Sequence, residues 1–280
     1  MSESDDCRVI QDSPLPKLHE TTLRFDDGTS ILAYALRKWP SSSDRPVVAF
    51  LHGSLRNSRA LEDWPARIDP VADGVLFDLP GHGKSDPIAV PSVGGLAGRV
   101  LGGLRAAFPD RHVLLVGESL GGTLALAIGS VTEQNPVKAV FAADPPMTTA
   151  KLWNVAITHR LAMAKQEPDS FVHRLSDLVF GLKPNAVEER IYYQLLGSLR
   201  VPAVIATGDV PLLPQRAKQL DTSIFDSVDQ FVAKKLYPDK AQIERVPNCG
   251  HLMLIDAVQP CEAMIQRMLA THFAFPTPVP

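Results

Sequence analysis

The chain has 280 residues, 45% of them hydrophobic, a formal net charge of −3 and three cysteines. That length and apolar content can bury a full core in one domain, with room for an insertion. The lack of a basic excess argues against nucleic acid or an anionic membrane surface as partner.

Cys7, Cys249 and Cys261 are too few and too scattered for a disulfide framework or a zinc site, which fits a reducing compartment. The opening MSESDDC is acidic and lacks the basic start and apolar core of a secretory signal. No run of about 18 or more apolar residues is present to span a bilayer. The expectation is a cytoplasmic protein that does not engage a membrane. Prolines and charges dominate residues 1–16 and the FPTPVP end at 275–280, so both read as frayed.

In chain order, TTLRF and SILAYALRKW flank DDG and predict an antiparallel hairpin at one sheet edge. PVVAFLHG, GVLFDLPGHG, HVLLVGES, VKAVFAADPP, VPAVIATGD and AQIERVPNCGH follow. Each is a short apolar run that ends at once in small or polar residues, as strands covered on both faces do. Helical patterns at 92–108, 119–131 and 256–272 separate some of them, which predicts a mostly parallel sheet covered by helices. The connection from Pro145 to Arg200 holds three helix-like segments, 151–166, 168–181 and 184–198, too long for a plain crossover. It predicts a helical insertion over one edge of the sheet.

Ligands of open α/β sheets bind beyond the carboxyl ends of the strands. Those ends carry His52-Gly53-Ser54, Asp78, Gly117-Glu118-Ser119, Asp144, Gly208-Asp209 and finally His251. A serine is a weak nucleophile until a base takes its proton, and an acid must then orient and compensate that base. Gly117-Glu118-Ser119-Leu120-Gly121 matches the G-x-S-x-G turn between a strand and a helix, which exposes the hydroxyl where the helix dipole favours negative charge. Alone the pentapeptide is modest evidence, because a serine N-cap among packing glycines would look the same. The strand before it and the helix after it favour a nucleophile.

With FLHGS (50–54), FDLPGHGKSD (77–86), VGESLGG (116–122) and NCGHLMLIDAVQP (248–260) in this order, the sequence resembles the α/β-hydrolase superfamily over about residues 21–272. The resemblance implies an α/β-hydrolase fold. Residues 1–20 would be an N-terminal extension, 21–146 and 200–273 the core, and 147–199 a helical cap. It assigns Ser119 as nucleophile, His251 as general base and then acid, and the N–H groups of Ser54 and Leu120 as oxyanion hole. In such families the acid follows the second-to-last strand in a G-x-x-D pattern. Here ATGDVPLLP puts Asp209 directly after Gly208, a shorter spacing, and Asp209 is favoured with Asp144 as the alternative.

His52, Gly53, Glu118 and Trp153 are candidates for the substrate-facing set, with His52 bracing the oxyanion loop. The Ser54 hydroxyl is either a third oxyanion donor or a small polar residue in a tight loop. His82 belongs to a structural turn, and His19, His112, His159, His173 and His272, lacking motif context, read as surface residues. Cys249 reads as a packing residue. Leu152, Trp153, Ile157 and Met163 could line the inner face of the cap, though such spacing also suits ordinary core.

The resulting expectation is a serine hydrolase that cleaves a small-molecule ester or lactone through an acyl-enzyme. The alternatives with the same triad are carbon–carbon bond hydrolysis of a diketone-like compound and thioester hydrolysis. A non-catalytic binding protein that keeps the hydrolase shell is a further alternative. A serine at the elbow argues against relatives with an aspartate nucleophile. Neither G-x-G-x-x-G nor a P-loop occurs, so no cofactor or metal is expected.

Overall fold

A computed structural model describes residues 17–38, 43–211 and 222–273. Cys7, the ends at 1–16 and 275–280, and Trp39 at the close of the expected second strand lie outside the described residues. Strand β1 (His19–Arg24) pairs antiparallel with β2 (Ser30–Ala35), from His19 opposite Ala35 to Arg24 opposite Ser30. This is the hairpin that the DDG turn predicts. β3 (Val47–Leu51), β4 (Asp73–Phe77), β5 (Val113–Glu118), β6 (Val137–Ala143), β7 (Ala203–Gly208) and β8 (Gln242–Val246) complete an eight-stranded sheet of order β1-β2-β4-β3-β5-β6-β7-β8. β2 runs antiparallel to β4, and every pairing from β4 to β8 is parallel.

The helices are α1 (Trp64–Ile68), α2 (Val93–Ala107), α3 (Leu120–Ile128), α4 (Trp153–Met163), α5 (Phe171–Phe180), α6 (Gln194–Ser198), α7 (Ser227–Leu236), α8 (Met253–Asp256) and α9 (Val258–His272). Every residue of β3, β4, β5 and β7 is buried, because both sheet faces are covered. Val47, Ala49 and Leu51 face a core shared with α2 and α3. Val48 and Phe50, one residue out of phase, face a second core shared with α1 and α9. The period-two alternation of side chains thus splits each apolar run between two cores.

The chain departs from expectation in several places. Of the 184–198 segment only Gln194–Ser198 is helical. Gly181 ends α5 with φ 66°, and single bridges join Leu182 to Val187 and Thr148 to Ile191. Glu189 spends its carboxylate on the backbone N–H groups of Thr149 and Ala150, so the charges that read as a helix face act as buckles. The helix expected over 256–272 is α9, and an unexpected short helix, α8, precedes it, the two separated at Ala257 (φ −131°). Helix α7 was not expected. Asp226 and Asp229 form its capping box, and Lys234 and Lys235 suit its last turn.

Candidate active site

Ser119 stands between β5 and α3 with φ 56° and ψ −120°, a strained conformation for a residue with a Cβ. The surroundings hold it there. Its N–H donates to Ala143 O at 2.9 Å, and its carbonyl accepts from Thr123 N at 3.1 Å. The flanking glycines are required by space: a Cβ on Gly117 would overlap the backbone of Gly121, and one on Gly121 would overlap the carbonyl of Leu51. The elbow therefore packs directly against the end of β3, which continues into the His52-Gly53-Ser54 loop.

His251 lies in the loop between β8 and α8. Its Nδ1 meets Asp144 Oδ2 at 2.8 Å, whereas Asp209 is engaged elsewhere. Asp209 Oδ1 accepts from Cys249 N at 3.2 Å, and its own N–H donates to Cys249 O at 2.9 Å. The favoured acid of the sequence reading is thus a stitch between β7 and the histidine loop, and the alternative, Asp144, is the partner of His251. The physical reason lies in the loop length. Without the two spacer residues, Asp209 is held against the start of the histidine loop.

Asp144 is fully buried and sits at φ 48°. Besides His251 it accepts from Ser223 Oγ (2.5 Å), Ile224 N (2.7 Å) and Phe225 N (3.0 Å). Ser223 was missed by the sequence reading, since its segment carries no motif.

In the loop after β3 His52 is fully buried, with Nδ1 on Gly53 O at 2.7 Å and Nε2 accepting from Leu79 N at 3.1 Å. Both ring nitrogens are spent on the backbone, so His52 braces its loop and, contrary to expectation, does not line the cavity beside Ser119. Burial lowers its pKa to about 3, which keeps the ring neutral. His82 is also buried, with Nδ1 on Pro80 O at 3.1 Å.

His159 overturns its surface assignment. It is buried on α4, with Nδ1 at 2.8 Å from Ser176 Oγ and Nε2 at 3.1 Å from Ser54 Oγ. Burial lowers its pKa to about 3, so the ring is neutral and carries one proton. Ser176 Oγ donates to Val172 O at 2.7 Å, so it must accept from Nδ1–H. Nε2 is then an acceptor, and the Ser54 hydroxyl donates to it. The Ser54 proton is committed to the helix above, which leaves its side chain no proton for an oxyanion. A helical phase with Leu152 and Met163, both buried, could have flagged His159. Ile157, in contrast, is 52% exposed and does not line an inner face. Trp153 is half-buried and packs with Leu152 and Ile224.

Glu118 is fully buried next to Ser119 in the chain. Arg56 Nη1 donates to its Oε1 at 2.8 Å, and Leu254 N donates to its Oε2 at 3.0 Å. Burial raises the Glu118 pKa, and the Arg56 charge opposes that rise. One carboxylate thus ties together the oxyanion loop, the elbow and the segment after His251. Cys249 is buried, its thiol pushed up to about 12, as suits a packing residue.

Gly53, Ser119 and His251 open onto a cavity of about 230 Å³, which Arg56, Asn154 and His159 also line. Among the described residues there is no group of three or more His, Cys, Asp or Glu side chains that could hold a metal ion, and no helix is long and apolar enough to cross a membrane.

Residues 48–267 match a family model described as the alpha/beta hydrolase family. A 99-residue stretch is 36% identical to a 2-hydroxy-6-oxononadienedioate/2-hydroxy-6-oxononatrienedioate hydrolase of Cupriavidus pinatubonensis, covering 34% of this chain and 34% of that protein. The match therefore spans about a third of that relative's length. Among solved structures, a thioesterase domain from the curacin biosynthetic pathway is 22% identical, with 89% of this chain and 99% of that one covered at a TM-score of 0.58. The enol-lactonase from Burkholderia xenovorans is 13% identical, with 87% and 98% covered at a TM-score of 0.62. At these identities the likeness concerns the fold.

Proposed function

The chain belongs to the alpha/beta hydrolase family, and from that premise we propose that it is a serine hydrolase that cleaves a small-molecule ester or lactone through an acyl-enzyme. One observation carries this reading: the strained Ser119 opens onto the same cavity as His251, whose far nitrogen is held by a buried carboxylate. Ser119 Oγ attacks the acyl carbon while His251 Nε2 takes its proton. The imidazolium that forms keeps its Nδ1–H on Asp144, which compensates the charge.

The tetrahedral oxyanion is taken by the N–H groups of Ser54 and Leu120, each donor of such a pair contributing about 3–4 kcal/mol. Collapse expels the alcohol with the proton from His251. Water, activated by the same histidine, then releases the acid. Because the Ser54 hydroxyl is committed to His159, the hole is a backbone one. The stretch 147–199 would act as the cap, with α4 bringing His159 and Asn154 over the cavity.

A second reading, hydrolysis of a carbon–carbon bond by the same residues, is favoured by the partial match to an oxo-dioate hydrolase. Labelling with a fluorophosphonate tests the serine chemistry. Wild-type protein should be modified at Ser119, and Ser119→Ala should lose both labelling and turnover of short p-nitrophenyl esters. Turnover that survives in Ser119→Ala would sink the proposal. Labelling at Ser119 without ester turnover would move the substrate to the carbon–carbon class.

A further inference from the structure

Arg56 presents a half-open guanidinium to the cavity that holds Ser119 and His251. Only Nη1 is spent, on Glu118. Among the described residues Nε and Nη2 have no acceptor, and the side chain remains 27% exposed. Two partly buried arginines with purely structural work, Arg45 and Arg190, spend their guanidinium groups differently. Arg45 uses Nη2 on the carbonyls of Asp69 and Ala72 while Nη1 faces Asp73, and Arg190 grips the Asp177 carbonyl and Glu188 together.

The partner of Arg56 points the same way. Glu118 is fully buried and its second oxygen is held by Leu254 N, so the acidic end of the pair lies inside and the cationic end faces the cavity. The cavity itself is small, below the roughly 300–1,000 Å³ of pockets for drug-sized ligands. Its wall also carries Ser54, Asn154 and Thr158. Leu55, Val155 and Leu252 give it an apolar side as well, but a cavity of this size leaves little room for a long acyl chain. A guanidinium offers two parallel N–H groups in the geometry of a carboxylate.

We propose that Arg56 forms an anion subsite and that the preferred acyl group is short and ends in a second carboxylate. This rests on the serine hydrolase reading for its catalytic consequence, though not for the binding itself. Arg56 would fix the distal carboxylate while the scissile carbonyl lies at Ser119, so a dicarboxylic half-ester is positioned at both ends.

The test compares mono-p-nitrophenyl glutarate with p-nitrophenyl valerate, two esters of equal acyl length that differ in the terminal charge. Wild-type kcat/KM should favour the charged ester by about tenfold or more, and the preference should shrink at high salt. Arg56→Gln should bring the ratio near one and Arg56→Lys should keep part of it. The ratio is read because Arg56 also supports Glu118, so both esters can lose rate together. A wild-type ratio of one or less, or a ratio unchanged in Arg56→Gln, overturns the proposal.

Calorimetric titration of glutarate into Ser119→Ala separates the two readings, and it decides the matter if Arg56→Gln fails to fold. Saturable, salt-sensitive glutarate binding without ester turnover in the wild type keeps the subsite and removes the ester-hydrolase reading. No glutarate binding overturns the subsite, whatever the fate of the neutral ester.

Discussion

His251 Nδ1 and Asp144 Oδ2 are 2.8 Å apart although 107 positions separate the two residues. Asp144 directly follows β6, so the carboxylate reaches His251 from one strand earlier than the G-x-x-D pattern anticipates. Asp144→Asn should lower kcat for a p-nitrophenyl ester by about 10⁴-fold, because the amide cannot hold the imidazole in the required tautomer. Asp209→Asn weakens one hydrogen bond to Cys249 N, worth about 1 kcal/mol, so about fivefold in rate is its ceiling. Steady-state kinetics of the two variants check this, and the reverse order would return the acid role to Asp209.

Gly121 stands where a Cβ would overlap the carbonyl of Leu51, at the contact between the elbow and β3. Gly121→Ala must push α3 away from the strand that leads into the oxyanion loop. Overpacking of this kind costs about 1–3 kcal/mol, and here it also displaces Ser119. The variant should melt lower than wild type and lose fluorophosphonate labelling even at temperatures where it stays folded. Full labelling with an unchanged melting temperature would refute the steric account.

The strands and the elbow were legible because apolar runs ending in Gly, Ser or Asp reflect a purely local demand. Gly117 and Gly121 mark the elbow for the same reason. The acid was open in the sequence, since Asp144 and Asp209 both follow strands and the segment that cradles Asp144, Thr222–Phe225, carries no motif. His159 was misread because its partners Ser54 and Ser176 come from distant segments. Position on a helix said nothing of what the helix covers. The 184–198 segment failed on similar grounds: Glu188 and Glu189 suit a helix, but their carboxylates and backbone close loops instead.

Asp229 is buried at the start of α7 and accepts from Lys151 Nζ at 2.7 Å and from the Tyr193 hydroxyl. Burial raises its pKa, which Lys151 and Tyr193 counteract. The cluster ties the stretch before α4 and the start of α6 to α7, and α7 follows the residues that donate to Asp144. Asp229→Ala leaves Lys151 with Asp226 alone and should destabilise the protein by about 1–3 kcal/mol in chemical denaturation. It should also lower kcat while leaving the site of fluorophosphonate attachment at Ser119 unchanged. A variant as stable and as active as wild type would show that the cluster has no such role.

Three buried histidines, His52, His82 and His159, have pKa values lowered by desolvation, to about 3 for His52 and His159. In the unfolded chain each titrates near 6.5. Between these values the unfolded state binds more protons than the folded one, so stability is complete above about pH 6.5 and falls as the pH drops toward 3. The slope is at most about 1.4 kcal/mol per pH unit for each histidine. Thermal melts from pH 7.5 to 4.5 should therefore show a steep loss of stability, beginning near pH 6 and ahead of the carboxylate range. His159→Phe removes one of the three protons and should flatten the slope over that window, whatever it does to the absolute melting temperature. An equal slope in the variant would mean that His159 is already charged in the folded protein, and the Ser54 hydroxyl would then regain its freedom to donate.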